Sequence, residues 1–109
     1  MQAVDLAVYA DVLAARASAL AAQLERARAS VRQAAIERRA RAALAADTIE
    51  RLERLGVVSK ADERAQRAVA ARLAGDLTAV EELQAWVEAR LFEAREDEDE
   101  GLERGRTAA

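Results

Sequence analysis

The residues best suited to chemistry in this 109-residue chain are arginines and carboxylates, because histidine and cysteine are both absent. The segment ERARASVRQAAIERRAR, residues 25–41, carries six Arg against two Glu. A basic helix of this kind could lie along a phosphate backbone, with counterion release supplying the affinity. One possible function is therefore a nucleic-acid-associated regulator. It would make its contacts through Arg26, Arg28, Arg32, Arg39 and Arg41.

The competing interpretation is that these arginines are neutralised across a helical hairpin. With a turn near residue 57, facing residue numbers should sum to about 114, which sets 25–41 against roughly 73–90. That facing segment carries Asp76, Glu81, Glu82 and Glu88. The formal charge of −3 and the aromatic content of 3% also disfavour contact with bases. Nucleic-acid binding is therefore the less favoured of the two functions.

The carboxylates do not form a recognisable catalytic or metal-binding pattern. Glu81 and Glu82 are adjacent, so on a helix they diverge by about 100° and cannot share a substrate. The acidic run REDEDE, residues 95–100, lacks the spacing and the central Gly of a calcium loop. The absence of His removes the commonest general base, and the absence of Cys removes thiolate zinc sites. We expect no enzyme activity, no cofactor and no metal.

The elements that position these residues are predicted to be helices. The chain is 52% hydrophobic, contains no Pro and only four Gly, and is dominated by strong helix formers. Apolar residues recur every 3.6 positions, which predicts helix one at about 2–55 and helix two at about 60–96. The turn is expected at 56–59, with Gly56 in the left-handed position of a Schellman ending and Ser59 as the next N-cap. Residues 97–109 are expected to be a disordered acidic tail.

This all-α hairpin, residues 1–96, leaves apolar surface uncovered. The same register places the end of helix two opposite about residue 18, so the N-terminal segment has no intramolecular partner. A second copy could cover it, which predicts a homodimer that forms a helical bundle or coiled coil. The residues expected to drive this self-association are Val4, Leu6, Val8, Tyr9, Val12 and Leu13. A further partner face could include Ile36, Leu44 and Trp86, although Trp86 could instead cover the edge of the hairpin.

Two charged residues interrupt the apolar stripes of the helices. Arg38 and Asp76 carry opposite charges, and their numbers meet the sum that the predicted register requires of facing residues. We therefore predict an ion pair between them that fixes the register of the two helices.

The favoured function is a non-catalytic helical interaction protein, such as an adaptor, a chaperone or an assembly component, with a protein partner whose identity the sequence does not reveal. Asp5, Asp11 and Arg16 interrupt the apolar N-terminal stretch, so we expect a cytoplasmic protein without a membrane span. The layout resembles that of the small helical-hairpin proteins of type VII secretion, which pair into four-helix bundles. Those proteins carry Trp-x-Gly at the turn, whereas this chain has Leu55-Gly56-Val57, so membership does not follow.

Overall fold

The computed structural model of the chain describes residues 2–59 and 62–107, with residues 102–107 described by their backbone alone. Within these residues there are three helices and no strand. Helix α1 spans Ala3–Ala43, α2 spans Ala46–Arg54 and α3 spans Glu63–Thr107. The predicted all-α fold is confirmed, and α1 and α3 are its two long helices.

The chain packs as two compact units, each of which contains a segment of α1 and a segment of α3. The terminal unit comprises residues 1–19 and 76–109, and the central unit comprises residues 20–75. The core of the terminal unit is Ala3, Leu6, Val87 and Leu91, with Ala7, Ala10, Leu13 and Ala94 packed against it. Buried residues of the central unit include Leu20, Leu24, Ala27, Ala34, Ile49, Val58 and Leu73.

The predicted continuous helix from residue 2 to 55 is wrong, because the chain bends at Leu44 and Ala45. Ala45 has an extended backbone, with ψ at 154°, and carries no side chain that could cap α2. A straight helix would separate Arg41 from Glu53 by about 18 Å. Instead, their side chains form an ion pair of 3.1 Å. Contacts between residues distant in sequence therefore accompany the bend, and the local apolar pattern contains no sign of them.

The ending of α2 follows the prediction. Gly56 has a φ of 73°, its N–H donates to the Glu53 carbonyl, and the Val57 N–H donates to the Leu52 carbonyl. These two bonds are those of a Schellman ending. The following residue, Val58, is buried. The chain thus turns at Gly56 and returns to the packed surface of the central unit.

The start of the second long helix differs from the prediction. Asp62, rather than Ser59, caps α3, since its Oδ1 accepts the N–H groups of Arg64 and Ala65 at 3.0 and 3.4 Å. The predicted first residue of this helix, Lys60, lies outside the described residues. At the other end, α3 continues to Thr107, so the expectation of a disordered tail from residue 97 is not met over the described part.

The register of the two long helices in the central unit also differs. Arg38 on α1 contacts Glu63 on α3, and Arg28 shares a groove with Arg67. These residue numbers sum to about 95–101 rather than 114. The difference arises because α1 ends at Ala43. Residues 44–59 therefore do not continue the helix that faces α3. Consequently, residues 25–41 do not face the acidic segment that we expected to neutralise them.

Candidate protein-interaction surface

The terminal unit buries few of its large apolar side chains. Among its described residues, Leu6, Val87 and Leu91 are buried, and Leu13, Leu77 and Val80 are partly buried. Seven large apolar side chains are exposed instead, namely Val4, Val8, Tyr9, Val12, Leu83, Trp86 and Phe92. A two-helix layer has only one internal seam, so apolar residues outside that seam remain in contact with solvent.

Two of these residues lie on one flank of α1. At about 100° per residue, Tyr9 lies about 60° and Val12 about 120° round the helix from buried Leu6, in the same rotational direction. The side chains of Tyr9 and Val12 are 55% and 61% exposed. Asp5 and Arg16 continue the same flank at either end. The spacing of these four residues is that of a heptad seam, which is how helices pack in coiled coils and bundles.

Two residues of α3 lie on the same side of the terminal unit. Leu83 lies about 40° and Trp86 about 100° from buried Val87, in the rotational direction in which Tyr9 is displaced from Leu6. A two-fold axis perpendicular to the plane of an antiparallel pair relates its helices, so equal rotations lead to the same side. Leu83 and Trp86 are each 57% exposed. We call Tyr9, Val12, Leu83 and Trp86 the apolar face.

Trp86 both covers the edge of its own unit and remains available to a partner. It lines a groove together with Leu6 and Ala94, so part of the indole lies at the edge of the core. The Arg90 guanidinium carbon lies 5.1 Å from the centre of the ring, which is a cation–π distance. More than half of the side chain is nevertheless exposed. Both uses proposed for Trp86 from the sequence are therefore compatible with its position.

The two ends of the apolar face carry different charges. Asp5 lies on this flank of α1 near its N-terminus, and Glu93 and Asp97 line the same groove as Trp86. Arg16 lies on the flank at the opposite end of the α1 segment. Neither Asp5 nor Arg16 forms an ion pair with a described residue. Each end therefore has a charge that an approaching surface could complement.

The structure divides the six residues predicted to drive self-association. The expectation that Leu6 and Leu13 lack an intramolecular partner is wrong, because both pack in the cluster that includes Val87 and Leu91. The predicted register was wrong because it counted the residues of α2 and the turn as part of the two facing helices. Tyr9 and Val12 belong to the apolar face. The remaining two, Val4 and Val8, are exposed further round α1.

The second predicted partner face is not a single surface within either unit. Ile36 and Leu44 belong to the central unit and Trp86 belongs to the terminal unit. Ile36 is exposed, and Leu44 lines a groove with Ile49, Glu50 and Glu53.

The predicted ion pair between Arg38 and Asp76 is replaced by another. The Arg38 Nε lies 2.8 Å from a carboxylate oxygen of Glu63, and the Arg38 side chain is largely exposed. Asp76 is also exposed. Neither residue therefore occupies the buried apolar stripe on which the prediction placed it. The cause is again the register, which the bend at Leu44 shifts.

The five arginines proposed to contact nucleic acid do not form one track. Arg28, Arg32 and Arg39 lie within about 40° of one another round α1, whereas Arg26 lies about 200° from Arg28. Arg41 is engaged in structural contacts, with its guanidinium 3.1 Å from Glu53 and 3.2 Å from the Ser59 carbonyl oxygen. Three of the five, Arg28, Arg32 and Arg39, therefore lie on one side of α1, and Arg32 is paired with Glu25.

Sequence reasoning missed Glu37, a buried charged residue of the central unit. Its side chain is 4% exposed, and its Oε1 accepts the Ser59 N–H at 2.7 Å, the Ser59 hydroxyl at 2.9 Å and the Gln33 amide at 3.3 Å. The Ser59 N–H contributes most to holding the pKa of Glu37 below its ordinary value, against the opposing effect of burial. A signal existed, since Glu37 follows Ala27 and Ala34 on the buried stripe of α1.

Comparisons with known proteins add no further constraint. No family model, no curated protein and no solved structure matches this chain.

Among the residues that the structure describes, none of the helices is long and apolar enough to span a membrane. Across the same residues, no group of three potential ligands among Asp, Glu, His and Cys could hold a metal ion.

Proposed function

We propose that this chain is a non-catalytic helical interaction protein that acts through the apolar face of its terminal unit. The observation that carries this proposal is the exposure of Tyr9, Val12, Leu83 and Trp86 on one side of that unit. Exposed apolar side chains grouped on one side of a protein are typical of interaction sites, and Trp and Tyr are enriched at the energetic centres of such sites.

The occupant that fits this face is a second copy of the chain. A two-fold arrangement uses the same surface on both copies, and an axis perpendicular to the helices makes equivalent helices run antiparallel. Such an axis through the apolar face brings Arg16 of one copy towards Asp5 of the other. The charges at the two ends are therefore complementary to themselves, and the heptad spacing of Asp5, Tyr9, Val12 and Arg16 suits helix-on-helix packing. The resulting homodimer is a helical bundle.

The test is the molar mass in solution of a variant that combines Tyr9→Ser with Trp86→Ser. Both side chains lie outside the core of the terminal unit, so helicity measured by circular dichroism should be retained. We expect sedimentation equilibrium to give the mass of a dimer for the wild type and the mass of a monomer for the variant. Burying polar hydroxyls in place of two aromatic anchors removes the main source of affinity.

A matched control combines Val4→Ser with Phe92→Ser. These residues are 73% and 65% exposed and lie away from the apolar face. The control should remain a dimer. A monomeric wild type, or equal dissociation of both double variants, would contradict the use of this face.

Dimerisation provides a larger helical surface on which an adaptor, a chaperone or an assembly component could bind another protein. The lack of catalytic activity and the cytoplasmic location are parts of this proposal and remain predictions. Capture of bound proteins by the wild type but not by the Tyr9→Ser/Trp86→Ser variant would show whether partner binding depends on the dimer.

A further inference from the structure

The central unit carries a groove that the proposed function does not use. It is lined by Arg28, Val31 and Arg32 from α1 and by Arg67 and Ala70 from α3, and it has a volume of about 350 Å³. The groove is shallow and open to solvent, so a ligand held there would be bound from one side only. Val31 is partly buried and Ala70 is partly buried, so the base of the groove is apolar and its walls are cationic.

The charge around this groove is incompletely neutralised. Arg32 lies 3.5 Å from Glu25, but both side chains are largely exposed, and such pairs contribute little. Glu63 is shared, because its two oxygens lie 2.8 Å from Arg67 and 2.8 Å from Arg38. Arg28 forms no ion pair with a described residue. Two carboxylates therefore lie beside four guanidinium groups, which leaves a net positive charge around the groove.

The observed register of α1 and α3 in the central unit brings these arginines to one groove. Arg28 and Arg32 are one turn apart on α1, about 6 Å along the axis, and Arg67 approaches the same groove from the other helix. In the register expected from the sequence, acidic residues of 73–90 would have faced these arginines. Instead, guanidinium groups converge from two helices, which is an arrangement suited to recognising phosphate oxygens.

We infer that this groove binds a compact ligand carrying adjacent phosphate groups. The three guanidinium groups contact neighbouring phosphates, and the apolar base receives the uncharged part of an organic phosphate. A continuous nucleic-acid backbone is a poorer fit, because Arg26 and Arg41 both lie on the opposite side of α1 from Arg28. A phosphate ligand would have to displace Glu63, which accepts two hydrogen bonds from the Arg67 guanidinium. The ligand chemistry could come from a free oligophosphate or from a phosphate chain within a longer polymer.

Isothermal titration calorimetry with inorganic triphosphate tests the inference on the full chain. The variant combines Arg28→Ala, Arg32→Ala and Arg67→Ala. The control combines Arg26→Ala, Arg51→Ala and Arg95→Ala, which removes the same charge from exposed arginines away from the groove. We expect triphosphate to bind the wild type, the control to bind within about twofold of it, and the groove variant to bind at least about tenfold more weakly.

Two further binding measurements test whether the groove prefers adjacent phosphate groups and whether it prefers a free oligophosphate to a nucleic acid. Sulfate at matched ionic strength should not displace triphosphate, because it offers a single tetrahedral group. A short duplex of random sequence should bind more weakly than triphosphate at the same phosphate concentration. Absence of triphosphate binding at low salt, equal weakening of both triple variants, or tighter binding of the duplex would overturn the inference. Circular dichroism verifies that each variant keeps its helicity.

Discussion

At the scale of single residues, the most constrained side chain is Glu37. It holds the segment after α2 against α1 through both the N–H and the hydroxyl of Ser59, and Arg41 holds the carbonyl oxygen of the same residue at 3.2 Å. One serine is therefore fixed by three polar contacts to α1. A buried carboxylate is tolerated here because its hydrogen-bond partners are supplied by the protein.

We predict that this carboxylate makes stability depend on pH in the acidic range. The pKa of Glu37 is lowered in the folded protein, first by the Ser59 N–H, so its stabilising effect is fully present above the ordinary value of 4.5. That effect is lost as the pH falls through the lower folded pKa. Thermal unfolding followed by circular dichroism between pH 7 and pH 3 should show this loss. Glu63, whose pKa is also lowered, first by Arg67, adds to it.

The variant Glu37→Gln separates the contribution of Glu37 to the pH dependence of stability from that of Glu63. It should unfold at a lower temperature than the wild type at pH 7 and should lose less stability on acidification, because only the Glu63 contribution remains. Glu81→Gln, at an exposed position, is the matched control and should follow the wild-type profile. Identical pH profiles for wild type and Glu37→Gln would contradict the role assigned to the carboxylate.

At the scale of elements, glycines have opposite roles in the α2 turn and in α3. Gly56 occupies the left-handed region with a φ of 73°, where a Cβ is strained. Gly75 lies within α3, and a Cβ built there meets nothing within 4 Å. Gly56→Ala should therefore lower the free energy of unfolding by about 1–2 kcal/mol. Gly75→Ala should raise it by about 0.5–1 kcal/mol, because the backbone entropy of the unfolded chain falls.

Urea unfolding at a fixed protein concentration measures both changes. The concentration must be fixed because self-association contributes to the apparent stability. If Gly75→Ala destabilised the protein, another surface would have to occupy the space beside that glycine. If Gly56→Ala had no effect, the left-handed turn would not be needed to end α2.

The elements also divide into those that the sequence predicts and those that it does not. Helix content follows from composition, and the Schellman ending at Gly56 follows from local chemistry alone. The bend at Leu44 was missed because Ala45 offers no capping side chain and because the contacts beside the bend, such as Arg41 with Glu53, join residues distant in sequence. Every error of register followed from that bend, including the partner assigned to Arg38.

The candidate surface was also only partly predictable from the sequence. An exposed apolar N-terminal segment is visible in the alternation of Val, Leu and Tyr over residues 4–13. Its division into buried Leu6 and exposed Tyr9 and Val12 depends on which side of α1 packs on α3, and the stripe pattern alone left that open. Trp86 could not be assigned to this side without the register.

At the scale of the whole molecule, the terminal unit is a pair of helix segments with exposed apolar residues on more than one side. A second copy supplies the layer that the terminal unit lacks, which connects the exposed aromatic residues to a function in assembly. The chain contains one Trp and one Tyr, and both belong to the apolar face. The proposed interface therefore contains its own spectroscopic probe.

The most direct test of the dimer through the apolar face is the fluorescence emission of Trp86 as a function of protein concentration. Trp86 is 57% exposed in the single chain. Dimerisation should move the indole out of water, so the emission maximum should shift to shorter wavelength as the concentration rises and then reach a plateau. The shift should be absent in a Tyr9→Ser/Val12→Ser variant, which retains the tryptophan. Emission of the wild type that remains constant and solvent-exposed across the concentration at which a dimer forms would contradict the proposal.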